Sequence, residues 1–154
     1  MAQSYPRNLT FPGGVIDGAT HFYAVRVYYE DTDLSGITYH ANYLRWFERA
    51  RSDLLRLLGI DQRAAIEAGE GAYAVTEIAL RYRRPARLDD DVIITTTSQE
   101  IAAASVRMEQ IARRDEDVLA SAQVRAAFLT PQGRPRRQPE AWRQSFHRFM
   151  QSQG

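Results

Sequence analysis

The sequence predicts an α+β domain of two layers, with one long amphipathic helix lying on an antiparallel sheet. Three observations predict it. A strand-like segment precedes a stretch of strong helical period. Four β-branched or alternating segments then follow in succession, and short polar turns separate them. At 154 residues the chain has the length of one domain with one substantial core.

Each element has its own local signal. Residues 1–20 lack the charged start and continuous apolar stretch of a signal peptide, so they read as a flexible arm and the protein as cytoplasmic. In "FYAVRVYY", residues 22–29, Tyr23, Val25, Val27 and Tyr29 share one face at period two, as in a half-buried strand. Next comes "NYLRWFERARSDLLRLLGI", where Tyr43, Phe47, Ala50, Leu54 and Leu58 recur at three- and four-residue steps. Polar residues, Asp53 among them, mainly fill the other side, and Gly59 is a natural helix stop. Asp61 is placed to cap a shorter helix running to Gly69. The segments "AYAVTEIALRY", "VIITTTSQEI", "AAASVRMEQIARR" and "VLASAQVRAAFLT" read as antiparallel strands. "PQGRPRRQ" breaks the sheet. "PEAWRQSFHRFM" then predicts a terminal helix with Trp142, Phe146 and Phe149 on one side. The divisions are thus an arm at 1–20, a main domain at 21–131 and a C-terminal extension at 132–154. A single helix layer leaves one sheet face and the strand edges uncovered, which predicts oligomerisation.

Composition removes several kinds of chemistry. There are no cysteines, so disulfides, thiolate metal sites and cysteine nucleophiles are excluded. All 20 basic residues are arginines, which excludes Schiff-base lysines and lysine-dependent phosphate loops. His21, His40 and His147 show no metal-ligand spacing, and no metal is expected. A net charge of +1 disfavours a general nucleic-acid binder. No apolar run reaches the roughly 18 residues that would span a bilayer.

The informative stretch is "EDTDLSGITYHANY", between the first strand and the long helix. Asp31, Asp33, Ser35 and Gly36 match four positions of a calcium-binding loop, but its twelfth position is Asn42 and a strand precedes it. A second reading assigns the aspartates to turn formation and helix capping. A third makes Asp33 a catalytic carboxylate beside a helix N-terminus, whose unpaired N–H groups stabilise negative charge on a carbonyl oxygen. Gly36 would then let the backbone bend around the reacting group. The residue pattern alone leaves these readings open.

The stretch "RVYYEDTDLSGITYHANYLRWFERAR" resembles the signature of hotdog-fold acyl-CoA thioesterases of the 4-hydroxybenzoyl-CoA thioesterase type, above all their Tol-Pal-associated branch. The resemblance extends through "YAVTEIALRYRRPARLDDDV" and covers roughly residues 22–130. It implies an antiparallel sheet wrapped around one central helix, with the C-terminal helix as an addition. It also implies homodimers joined edge to edge, often paired into homotetramers, with active sites at the subunit interface.

By that resemblance Asp33 is the catalytic acid, acting as nucleophile or as general base on water. Asp31 is left to turn structure or an arginine partner. The oxyanion donor maps onto the backbone N–H of His40, with no demand on the imidazole. Tyr39, Tyr43 and Tyr73 join Gly36 among the substrate-binding residues; packing of the helix onto the sheet is the other reading of Tyr43. Arg81, Arg83 and Arg84 offer an electropositive rim for the phosphates of coenzyme A, or are simply a solvated turn. A thiol leaving group of pKa near 8.5 departs without a strong acid, so one carboxylate and one oxyanion site suffice. No cofactor is expected, since coenzyme A enters as part of the substrate. Acyl carrier protein is a further expected partner. A non-catalytic acyl-CoA-binding module and a hotdog dehydratase or hydratase are the alternatives. An acid at position 33 speaks against the first, because a neutral thioester needs no buried carboxylate.

Overall fold

The computed structural model describes residues 5–152, and the first four residues of the expected arm lie outside them. Six strands form one sheet: β1 (Val15–Asp17), β2 (Thr20–Arg26), β3 (Ala72–Tyr82), β4 (Asp91–Ile101), β5 (Ser105–Arg114) and β6 (Asp117–Leu129). Their order is β1-β2-β4-β5-β6-β3, and every neighbouring pair is antiparallel. The helices are α1 (Asn42–Leu57), α2 (Gln62–Glu67) and α3 (Glu140–Gln151). The expected α+β architecture, with a central helix on an antiparallel sheet and a C-terminal helix added, is what the chain adopts.

Helix α1 lies on the sheet through Tyr43, Trp46, Phe47 and Ala50, all buried against Val92 and Ile94 of β4 and Leu119 and Val124 of β6. Ala112, Ala120 and Ala122 occupy the sheet beneath it. Small residues there leave volume for the large rings of the helix, which keeps the interior close-packed. A second cluster joins Leu54 and Leu55 of α1 to Val106, Met108 and Ala126 of the sheet, and Phe146 and Phe149 of α3 close it. The predicted apolar side of α3 therefore completes the core at one end of α1. Gly59 stops the long helix at φ +78, and Asp61 caps α2 by accepting a hydrogen bond from the Ala64 N–H at 3.0 Å.

Three details differ from the sequence expectation. The first long strand ends at Arg26, and Tyr29 is 83% exposed in a 3-10 turn spanning Tyr29–Asp31. The Asp31 carboxylate draws the Tyr28 N–H into that turn at 2.8 Å, so the ladder cannot continue. Within the expected arm, Val15–Asp17 pairs with β2 across a tight hairpin in which Gly18 has φ +62. Asp53, expected on the solvent side of α1, instead accepts hydrogen bonds from Gly14 N–H at 2.9 Å and pairs with His21 Nε2 at 2.7 Å. That polar clasp ties the N-terminal hairpin to the helix. A side chain at position 14 would strike the Phe22 carbonyl at 2.1 Å, so only glycine fits.

Candidate active site

The loop between β2 and α1 is fixed by its own backbone. Thr32 and Thr38 form an isolated antiparallel bridge, and the Asp33 N–H donates to the Ile37 carbonyl at 3.0 Å. The Gly36 N–H returns to the Asp33 carbonyl at 3.0 Å, and Gly36 sits at φ +81, where a Cβ would be strained. Behind the loop, the Thr38 N–H donates to the Ala86 carbonyl at 2.8 Å, so "RPAR" serves as its backing.

The two aspartates do different things in this frame. Asp31 is buried, and both carboxylate oxygens are used: one accepts from Tyr28 N–H and the other from Asn42 Nδ2, each at 2.8 Å. Its own carbonyl takes the Tyr39 N–H at 2.8 Å. Turn structure, and not an arginine, is therefore its partner. Asp33 is exposed; its Oδ1 accepts from the Ser35 N–H at 2.8 Å and from the Ser35 hydroxyl. Those Ser35 hydrogen bonds, with a smaller electrostatic contribution from His40, hold its pKa below the ordinary 3.8. Among the described residues no group of three acidic or histidine side chains is arranged to hold a metal.

Just beyond Asp33, helix α1 begins without a side-chain cap at Ala41. The Asn42 N–H closes on Tyr39, but the His40 N–H enters none of the backbone hydrogen bonds that build this turn. An ionised carboxylate thus stands near an open helix N-terminus, where partial positive charge and unused N–H groups gather. The arrangement can polarise a carbonyl through the backbone while the carboxylate attacks it or activates water.

The remaining sequence-predicted residues divide into near and far. Tyr39 is half-exposed beside the His40 ring, at 4.5 Å between centroids. Tyr43 is buried and packs on Tyr82 of β3 as well as on Trp46 and Phe47 of its own helix, so its ring holds the helix to the sheet. Burial pushes its hydroxyl pKa upward. Arg84 is committed to Asp117 at 2.9 Å, whereas the exposed Arg81 and Arg83 make no ion pair among the described residues. Tyr73 stands apart from this loop, at the other end of β3; it donates to Gln138 Oε1 at 2.5 Å and packs on Phe128 and Trp142.

One residue at the site had no expected role. Tyr82, at the near end of β3, donates its hydroxyl to the His40 carbonyl at 2.5 Å. Its ring also meets His40 edge-on and packs on Tyr43. Its only sequence signal is an aromatic ring amid the arginines of "RYRR".

Fold and site together define the hotdog class: a sheet around a central helix, with a carboxylate at that helix's open N-terminus. The chain belongs to the thioesterase-like superfamily, whose family profile matches residues 27–149. It is 40% identical over 107 residues to the acyl-CoA thioesterase YbgC of Haemophilus influenzae, covering 70% of this chain and 79% of that protein. It is 37% identical over 119 residues to the acyl-CoA thioester hydrolase YbgC of an Escherichia coli strain, covering 76% and 88%. Among solved structures, a probable thioesterase from Bartonella henselae superposes with a TM-score of 0.74 at 36% identity, covering 78% of this chain and 99% of that one.

Proposed function

We propose that this thioester hydrolase cleaves acyl-CoA, or an acyl-carrier-protein thioester, to a free acid and a thiol, with Asp33 as the reacting carboxylate. The observation that carries the reading is an exposed Asp33 carboxylate electrostatically coupled to His40, whose N–H at the start of α1 makes no hydrogen bond among the described residues. The thioester carbonyl oxygen lies against that N–H, and the carbonyl carbon faces Asp33. Attack comes either from the carboxylate itself or from a water that gives it a proton. The oxyanion collapses, the C–S bond breaks, and the thiolate leaves; where the carboxylate itself attacked, water then hydrolyses the Asp33 mixed anhydride, releasing the acid and restoring the carboxylate. Acid–base action contributes roughly 10² to 10⁴ and one oxyanion donor roughly 10² to 10³. Arg81 and Arg83, unpaired near this end of β3, are the cations we assign to coenzyme A phosphates. The free edge of β3 supports pairing between copies of the chain.

The reading is tested by thiol release from a panel of aromatic, short-chain and long-chain acyl-CoAs and acyl carrier proteins. Turnover of one class is the expected result and names the substrate. Binding without turnover across the panel would replace the hydrolase with an acyl-binding module.

A further inference from the structure

Away from the Asp33 loop, a cavity of about 270 Å³ opens between α1 and the sheet at the Tyr73 end of β3. Its floor is apolar, formed by Leu55, Val106, Met108, Ala126 and Phe146. The volume lies just below the roughly 300–1,000 Å³ of pockets for drug-sized molecules, so it suits a short aliphatic or single-ring body.

One lining group does not match that floor. Arg51 is partly buried, and burial lowers its guanidinium pKa. It donates one hydrogen bond, from Nη1 to Gln110 Oε1 at 2.9 Å, and has no ion pair among the described residues. Gln110 is itself pinned, because its Nε2 donates to the Phe47 carbonyl and to Thr96 Oγ1, both at 3.0 Å. The guanidinium is therefore held from behind by a fixed, neutral acceptor, and its other four donors have no protein partner among the described residues. Glu48, one turn earlier, attracts it electrostatically but is exposed at the rim and forms no ion pair with it. A partly desolvated cation beside apolar surface is costly unless an anion completes it.

We propose that this cavity is a carboxylate-binding subsite, with Arg51 taking the carboxylate and the Leu55–Met108–Phe146 floor taking an apolar body. A fork of N–H donors matches a carboxylate in two parallel hydrogen bonds, which a neutral amide cannot reproduce. Two sources can supply such a group: the far end of a bound acyl chain, or a free carboxylic acid. The first source sets a length. Leu44, Glu48, Arg51 and Leu55 recur at steps of four, three and four, forming one stripe of α1. Arg51 lies about 16 Å along that axis from His40 at the helix start. This arm rests on the hydrolase reading above; the binding arm does not.

Calorimetric titration of the native protein with benzoate and hexanoate, against benzamide and hexanamide, tests the site directly. The acids are expected to bind at least about tenfold more tightly than their amides, with Arg51→Gln erasing the preference and Arg51→Lys keeping part of it. Equal binding of acid and amide by the native protein, or binding of neither, overturns the proposal whatever the variants do. The sources separate in kcat/KM for acyl-CoAs that carry a free carboxylate at the far end, against plain acyl-CoAs of equal length. A preference of about tenfold that falls toward one in Arg51→Gln assigns the subsite to the acyl end. A ratio near one, with acid binding intact, assigns it to free acids. Acid preference without turnover of any thioester would sink the hydrolase reading and leave this site standing.

Discussion

Asp31 and Asp33 are separated by one residue, yet the fold uses them in opposite ways. Asp31 is 8% exposed, with one oxygen taken by Tyr28 and the other by Asn42. Asp33 is open to solvent and bonded only within its own loop, to Ser35. A buried carboxylate with both oxygens bound by the protein holds structure together and is closed to a substrate. One that is kept ionised but spatially free can react. The two ends of β3 repeat the contrast. Tyr73 gives its hydroxyl to Gln138 of the C-terminal extension and helps seal the core, while Tyr82 gives its hydroxyl to the carbonyl of His40 and steadies a helix end that stays open.

The sharpest way to break this division is to remove the unused N–H. His40→Pro deletes it, and kcat is expected to fall by roughly 10² to 10³, the weight of one oxyanion donor. His40→Ala keeps the N–H and should retain most of the activity; an equal loss in both would move the chemistry to the imidazole. A smaller effect is expected from Tyr82→Phe, which keeps the ring and deletes the hydrogen bond to the helix start. Turnover should drop by about tenfold or less, about one hydrogen bond's worth, with KM nearly unchanged. A change in KM alone would make Tyr82 a substrate contact instead. The smallest effect lies in the pH profile. Asp33 must be ionised to act, and Ser35 holds its pKa below 3.8, so the acid limb of kcat/KM should lie below that value. Ser35→Ala removes the hydroxyl donor and should move the limb to higher pH, with the neutral plateau preserved. The same sign applies to folding: the stabilisation from this lowered pKa is present above the unfolded value and is lost as pH falls through the folded one.

What the sequence made legible was local. The period of α1, the Gly59 stop, the Asp61 cap and the four long strands each depend on residues near one another in the chain. The Asp-x-Asp-x-x-Gly turn was visible for the same reason, but the residue pattern alone did not say which aspartate the fold buries and which it leaves exposed. Interactions that span the chain were not visible. Tyr82 meets His40 across 42 residues, Tyr73 meets Gln138 across 65, and Arg51 meets Gln110 across 59. Nothing in the period of a strand or helix encodes such partners. The N-terminal hairpin lay between these cases: Asp17-Gly18 is a local turn signal, but β1 before it is only 3 residues long, and the Asp53 clasp that secures it comes from another element.

The central claim is tested most directly by making the same change at both aspartates and reading thioester turnover and thermal midpoint on each purified variant. Asp33→Asn should lose roughly 10² to 10⁴ in turnover while its midpoint falls only slightly, by the loss of the exposed Ser35 hydrogen bonds' preference for a charged acceptor. Asp31→Asn turns one acceptor oxygen into a donor facing a donor, which costs about 1–3 kcal/mol. For a chain of this size its midpoint should fall by roughly 2–4 °C per kcal/mol. Its turnover per folded molecule should fall far less than that of Asp33→Asn. Native turnover in Asp33→Asn, or an unfolded Asp33→Asn beside an unaffected Asp31→Asn, would contradict the account.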